Sequence, residues 1–323
     1  MRTGSLLRGI ALTAVTGACA LAAAPASAAT YDVPWTVDAA LAAQGQAPNS
    51  SPAGANDFSC KPTAARPEPV VLVHGLLANQ TVNWASISPF LANRGFCVFS
   101  LTYGTKDQVS SPVYQPGGLT GMQDSAAQLK RFVNRVLRKT KAKKVDIVGH
   151  SEGSLMPSWY IRFLGGGKVV DDYVGMTTLW EGTNTAGLAT LDQLGGLVGL
   201  DPVLSSSIDQ VCTSCRQFLQ SSKFMAKLHA KGIVSPKVTY TSIVTKNDEL
   251  VVPYTSGLLP EAPNVTNVVL QDYCGLDQAE HLSVFADPVT AGFIYRALDP
   301  AAAPDPPCVP VLPALGAVGY TAD

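Results

Sequence analysis

Hydrophobic positions along the chain fall into two periods. Short β-branched runs recur at Val70–Val73 (VVLV), Cys97–Leu101, Val145–Val148, Val169–Met176, Val238–Thr245 and Val265–Leu270. Continuous apolar runs of this length are the pattern of strands buried on both faces. Between them the period lengthens. From Met122 to Lys139 the residues Ala126, Leu129, Val133, Val136 and Leu137 repeat at helical spacing, while Lys130, Arg131, Arg135 and Arg138 lie mostly off that stripe, which predicts an amphipathic helix laid on a sheet. Ser88-Pro89 opens a shorter helix that Gly95 ends, Gly165-Gly166-Gly167 stops the helix after Val145–Val148, and Asp287-Pro288 opens a last one through Leu298. Alternation of strand and helix predicts an α/β fold with a mostly parallel central sheet flanked by helices.

Three stretches lie outside that alternation. Arg2 and Arg8 precede a nearly unbroken apolar run from Ile10 to Ala24, followed by Ala26-Ser27-Ala28. This is the layout of an export signal over residues 1–28, too short for a spanning helix. Cys19 as a lipid-attachment site is a rival, but Thr16-Gly17-Ala18 before it lacks the usual Leu. Residues 29–69, rich in Pro, Ser, Ala and Gly, are expected to wrap the surface as irregular chain. Residues 301–323 form a Pro/Ala-rich tail after a catalytic domain expected over 70–300.

Composition changes the picture in two ways. With 46% apolar and 15% charged residues, 323 residues fill a full core. The formal net charge of −1, with no Lys/Arg block standing out, argues against nucleic acid as a partner, and no obligate protein partner is evident. Removing the signal leaves six cysteines. Six allow 15 connectivities; Cys60–Cys97, Cys212–Cys215 and Cys274–Cys308 are expected because each pair can meet near the edge of one domain. The C-x-x-C spacing of Cys212 and Cys215 lacks a second Cys or His pair to complete a zinc site. No dense carboxylate cluster marks a calcium site.

The sharpest chemical signal is Gly149-His150-Ser151-Glu152-Gly153, a G-x-S-x-G between a strand and a helix. Such a turn is tight enough to require its glycines and holds the serine exposed at a helix N-terminus. A serine hydroxyl needs a base, and the chain has four histidines. His74 sits at a strand end, His150 inside the elbow pointing away from the hydroxyl, and His229 on a Lys-rich helical segment. His281, in a loop after Val265–Leu270, remains as the base. Asp248 leaves Val238–Thr245 and is the favoured orienting acid, with Glu249, Asp272 and Asp277 as alternatives. Backbone N–H groups of Glu152 and of Leu76, after His74-Gly75, are the expected oxyanion donors.

Together SPAGANDFSCKP (Ser51 to Pro62), EPVVLVHG (Glu68 to Gly75), NRGFCVFSLTYG (Asn93 to Gly104), DIVGHSEG (Asp146 to Gly153), TKNDELVVPYTS (Thr245 to Ser256) and EHLSVFADP (Glu280 to Pro288) resemble one family, the secreted class 2 triacylglycerol lipases of actinobacteria, related to the small lipases of bacilli. The resemblance implies the α/β-hydrolase fold, a lipase or esterase needing no cofactor, a lipid or other ester substrate, and the same roles for Ser151, Asp248, His281, Leu76 and Glu152. Two positions depart from the pattern: Glu152 replaces the usual Gln or Met, and Trp180-Glu181 stands where a Pro-Asp-Asn-His-like stretch is common. A carboxylate at Glu152 is expected to disfavour anionic substrates. A secreted acyltransferase, or a polyester or short-chain esterase, would use the same triad. The segment from Gly182 to Ile208, apolar and glycine-rich, reads equally as a mobile flap or as a helical cap.

Overall fold

In a computed structural model of the chain, six strands form one parallel sheet in the order β2-β1-β3-β4-β5-β6. The structure describes Met1 and residues 30–197 and 208–321. The expected export signal, with Cys19, therefore lies outside the described residues, as does 198–207 of the Gly182–Ile208 segment. The strands are β1 Val70–Val73, β2 Val98–Leu101, β3 Val145–His150, β4 Val170–Met176, β5 Thr239–Val244 and β6 Val265–Val269. Each lies within a residue or two of its expected place, and β1, β2 and β3 are buried along their whole length because both faces of the sheet are covered there.

The two faces bury alternate residues. Val71, Val73, Phe99, Ile147 and Tyr173 pack with Leu129, Val133, Val136 and Leu155 on one side. Val70, Leu72, Val98, Val148, Val174 and Ile243 pack with Ile87, Leu91, Phe285, Val289 and Ile294 on the other. Helix Met122–Thr140 covers the first face with its predicted stripe of Ala126, Leu129, Val133 and Val136, all fully buried. Helix Pro288–Leu298 covers the second and starts as predicted: Asp287 accepts from the backbone N–H groups of Val289 (2.7 Å) and Thr290 (3.0 Å).

Two local expectations are corrected. Ser88 does not cap its helix, which spans Ile87–Asn93; its buried hydroxyl donates instead to the Ala53 carbonyl at 2.7 Å. The wrap expected to be irregular contains a ten-residue helix, Val37–Gln46. Four alanines in its first seven residues favour a helix, but they supply no apolar stripe for a periodicity reading to detect. Around this helix the two ends of the described chain meet: the Val37 N–H donates to the Leu315 carbonyl (3.0 Å) and the Ala317 N–H to the Trp35 carbonyl (2.8 Å).

All three expected disulfides are present, Cys60–Cys97, Cys212–Cys215 and Cys274–Cys308, with Cα atoms 5.8, 5.5 and 5.3 Å apart. The first pins the N-terminal wrap beside β2. The third ties the tail to the loop after β6. No helix among the described residues is long and apolar enough to cross a membrane.

The strand order reverses direction between β1 and β3: β2 lies outward of β1 on one side, and β4, β5 and β6 continue from β3 on the other. In parallel sheets the loops leaving the strands at such a reversal diverge and open a crevice. Leu76 follows β1 and Ser151 follows β3 at this place.

Candidate active site

Ser151 sits between β3 and helix Glu152–Phe163 with φ 53° and ψ −119°. This positive-φ conformation is costly for a residue with a side chain. Neighbouring glycines make the turn possible. A Cβ on Gly149 would fall 1.9 Å from the Gly153 carbonyl oxygen, and one on Gly153 would fall 1.9 Å from that of Val73. The Ser151 N–H donates to the Met176 carbonyl at 3.1 Å, which ties the elbow to the end of β4.

Across the crevice, His281 Nε2 lies 2.8 Å from Ser151 Oγ, and His281 Nδ1 lies 2.9 and 3.0 Å from the two oxygens of Asp248. Asp248 is itself oriented by the N–H groups of Leu250 (3.0 Å) and Val251 (2.7 Å), which donate to its Oδ1. The three sequence candidates thus form one chain of hydrogen bonds, with the His281 and Asp248 side chains 3% and 2% exposed. The alternative acids are placed elsewhere. Glu249 Oε2 accepts from the His281 backbone N–H at 3.2 Å, Asp272 pairs with Lys246, and Asp277 Oδ1 accepts from the Ala279 N–H at 2.8 Å.

Burial disfavours protonation of His281, but the charge and hydrogen bond of Asp248, with the charges of Glu249 and Glu280, outweigh it and hold its pKa above the ordinary imidazole value. His74 and His150 lack such support. Burial pushes His74 down to about 4 and, with His281 close by, His150 to about 3. His74 stacks on Tyr103 with centroids 4.3 Å apart. His150 lies 3.0 Å from both Asn83 Oδ1 and the His281 carbonyl, so its neutral ring donates to one of these two oxygens beneath the site. His229 lies near Glu181 and bonds the Trp180 carbonyl.

Around Leu76 the neighbouring N–H groups are committed: Gly75 donates to Asn83 Oδ1 (2.8 Å), Leu77 to the Gly117 carbonyl (2.9 Å) and Ala78 to that of Gly75 (3.2 Å). Glu152 opens the helix after Ser151. Its side chain corrects the expectation of a charge beside the nucleophile. It is fully buried, close against Gly118, and burial pushes its pKa well above the ordinary glutamate value, Ser214 acting the other way. A side chain turned into the core is not presented to a substrate.

Above Ser151 opens a cavity of about 450 Å³, within the range of small-molecule sites. Its walls are Leu76, Leu179, Leu188, Phe218, Val251 and Phe285 among others, and Val37 and Leu41 from the N-terminal helix close one side. Among the described residues no Asp, Glu, Lys or Arg lines it. Periodicity missed Asn83, Val37 and Leu41, since none carries a motif; only the fold brings them here. The first part of the Gly182–Ile208 segment is packed. Thr183 Oγ1 donates to the Leu250 carbonyl (2.7 Å) and accepts from the Val252 N–H (3.1 Å), and helix Thr185–Leu197 puts Leu188 in the cavity wall. Among the described residues no group of His, Cys, Asp and Glu is arranged to hold a metal ion.

This arrangement belongs to the ester hydrolases of the α/β-hydrolase fold. The model of the class 2 lipase family matches residues 67–293, and the chain belongs to that family. Among solved structures it is similar to lipase B of Aspergillus fumigatus, with 19% identity, a TM-score of 0.56, and 80% of this chain and 56% of that one covered. It is also similar to the mature form of the Bacillus licheniformis lipase BlEst2, with 16% identity, a TM-score of 0.53, and 74% and 94% covered. The chain thus spans about half the length of the fungal lipase.

Proposed function

We propose that the protein is a secreted serine hydrolase that cleaves neutral, lipophilic carboxylic esters, triacylglycerols foremost, through an acyl-enzyme on Ser151. The observation that carries this reading is the chain Ser151–His281–Asp248 at the floor of an apolar cavity whose described walls carry no Asp, Glu, Lys or Arg. In the first half-reaction Ser151 Oγ attacks the ester carbonyl carbon while His281 Nε2 takes the hydroxyl proton. Asp248 holds the Nδ1–H tautomer and stabilises the imidazolium. Negative charge gathers on the former carbonyl oxygen, within reach of the N–H groups of Leu76 and Glu152. Collapse breaks the bond to the leaving oxygen, which takes the proton from His281 and departs as the alcohol. Water repeats the sequence on the acyl-enzyme and releases the free acid.

The cavity walls support the substrate class. An ester bearing a carboxylate or ammonium group would lose its hydration with no counter-charge to replace it, whereas an acyl chain gains about 0.8 kcal/mol per buried methylene. Three disulfides fit an oxidising, extracellular setting, as does the export signal expected over residues 1–28. The test is Ser151→Ala assayed on p-nitrophenyl butyrate, paired with fluorophosphonate labelling of the unmodified enzyme. Loss of order 10⁴-fold or more, with the label mapped to Ser151, is expected. Retention of a tenth of the activity would remove Ser151 from the mechanism.

A further inference from the structure

Outside the active site, a strongly basic surface lies on the outer face of helix Met122–Thr140 and the turn that follows. Lys130, Arg131, Arg135, Arg138, Lys139 and Lys141 are all exposed, and no acidic residue occurs between Asp124 and Asp146. The helical rise places Lys130 and Lys139 about 14 Å apart, so the cations form a stripe. The N-terminal wrap adds to it: Lys61 Nζ donates to the Lys139 carbonyl at 3.5 Å, next to the Cys60–Cys97 disulfide, and the Arg135 guanidinium lies 4.1 Å from the Phe58 ring centroid. Some cations elsewhere have carboxylate partners, as in Arg66–Asp299, Lys246–Asp272 and Arg296–Asp305. Among the described residues none of these six forms an ion pair within 4.0 Å. The acids that border the stripe are Asp57, beside Lys61, and Asp171, which is paired with Lys144.

In sequence these cations read as the solvated side of an amphipathic helix, because Phe132, Val133, Val136 and Leu137 interrupt them. Folding removes the interruptions to the other side and leaves the like charges side by side, where they repel. Nothing in a chain of net charge −1 requires such a concentration for solubility.

We infer that this face is a docking surface for a linear anionic polysaccharide, which would hold the enzyme by its flank. The position fits. The helix runs from Gly121, near Gln217, away from the site to Lys141 just before β3, whereas Ser151 lies at the opposite end of β3. A bound polymer would leave the cavity mouth free. Two observations turn the reading away from other polyanions. Surface-binding membrane proteins combine cations with apolar side chains that enter the bilayer, but no large hydrophobic is exposed between residues 122 and 144; Leu41, Leu282 and Leu315 are exposed near the mouth instead. Single-stranded nucleic acid is held by stacking on exposed aromatic rings, and this face presents none.

The experiment measures binding of the full-length protein to dextran sulfate across a salt series, with anionic phospholipid vesicles and single-stranded DNA as parallel arms. One variant combines Lys130→Gln, Arg131→Gln, Arg138→Gln and Lys139→Gln. A charge-matched control combines Lys168→Gln, Lys223→Gln, Lys231→Gln and Lys237→Gln, all exposed elsewhere. Arg135 is left in place because it packs on Phe58. The first variant is expected to bind dextran sulfate at least tenfold more weakly and to flatten the log–log salt slope by about 3, at roughly 0.7–0.9 per lost contact. The control should stay within twofold, and both should keep unchanged hydrolysis of soluble p-nitrophenyl esters. Absence of binding at low salt, equal weakening in the control, or tighter binding to vesicles or DNA than to dextran sulfate would each overturn the inference.

Discussion

Asp248→Asn tests the proposed mechanism at its most geometric point. Oδ1 of Asp248 receives two backbone donors, Leu250 N–H at 3.0 Å and Val251 N–H at 2.7 Å, and His281 Nδ1 faces both oxygens. An asparagine must keep its carbonyl oxygen on the two backbone donors, since an NH₂ there would oppose N–H with N–H. Its amide nitrogen then turns to His281 Nδ1, which can accept that hydrogen bond only without its own proton. The imidazole proton moves to Nε2, and the nitrogen facing Ser151 Oγ, 2.8 Å away, can no longer take the hydroxyl proton. The fold keeps every hydrogen bond but loses charge assistance, a cost of about 1 kcal/mol. Catalysis loses its base, on the order of 10⁴-fold in kcat or about 5.5 kcal/mol of barrier. Steady-state kinetics on p-nitrophenyl butyrate at pH 8, beside thermal melts of both proteins, separate the two effects. A variant that retains more than a tenth of wild-type kcat, or one that loses activity only because it has unfolded, would refute the tautomer argument.

Three further outcomes follow from the same geometry. Glu249→Gln keeps an acceptor for the His281 N–H but removes a charge that, with Asp248 and Glu280, raises the His281 pKa; neutral His281 is the active form, so the acidic limb of kcat/KM should move to lower pH, and an unmoved limb would count against the assignment. Leu41→Asp and Leu282→Asp, exposed positions lining the cavity, should depress hydrolysis of emulsified tributyrin several-fold while sparing soluble esters, and equal losses on both substrates would show that the mouth plays no part in reaching lipid. Gly153→Ala would set a Cβ 1.9 Å from the Val73 carbonyl oxygen, so calorimetry should show destabilisation by several kcal/mol rather than a folded enzyme with reduced kcat.

The parts of this structure that were legible in sequence are those where one residue's environment is set by its own strand. Val70–Val73 and Val145–Val148 read as strands because both faces of the sheet are covered. Gly149 and Gly153 announced the elbow because no other residue fits the contacts they make. Asp248 and His281 followed from chain order. What was not legible depends on residues distant in sequence. Glu152 looked like a surface charge because its burial comes from neighbours such as Gly118, more than thirty residues upstream. Helix Val37–Gln46 has the composition of a helix without a stripe, and its place in the cavity wall is set by contacts with the tail. The hydrogen bonds that hold Asn83 against Gly75 and His150 leave no mark in periodicity at all.

The meeting of residues 35–37 with residues 315–317 has a consequence for biosynthesis. A ribosome finishes all the residues of the proposed triad once it passes His281, yet the helix bearing Val37 and Leu41 lacks its buttress until the Leu315 carbonyl and the Ala317 N–H emerge. A chain halted before residue 312 would carry the whole reaction chemistry beneath a mouth with one wall unsupported. Arrival of residues 312–317, more than assembly of the sheet, is then the step that secures this wall of the cavity.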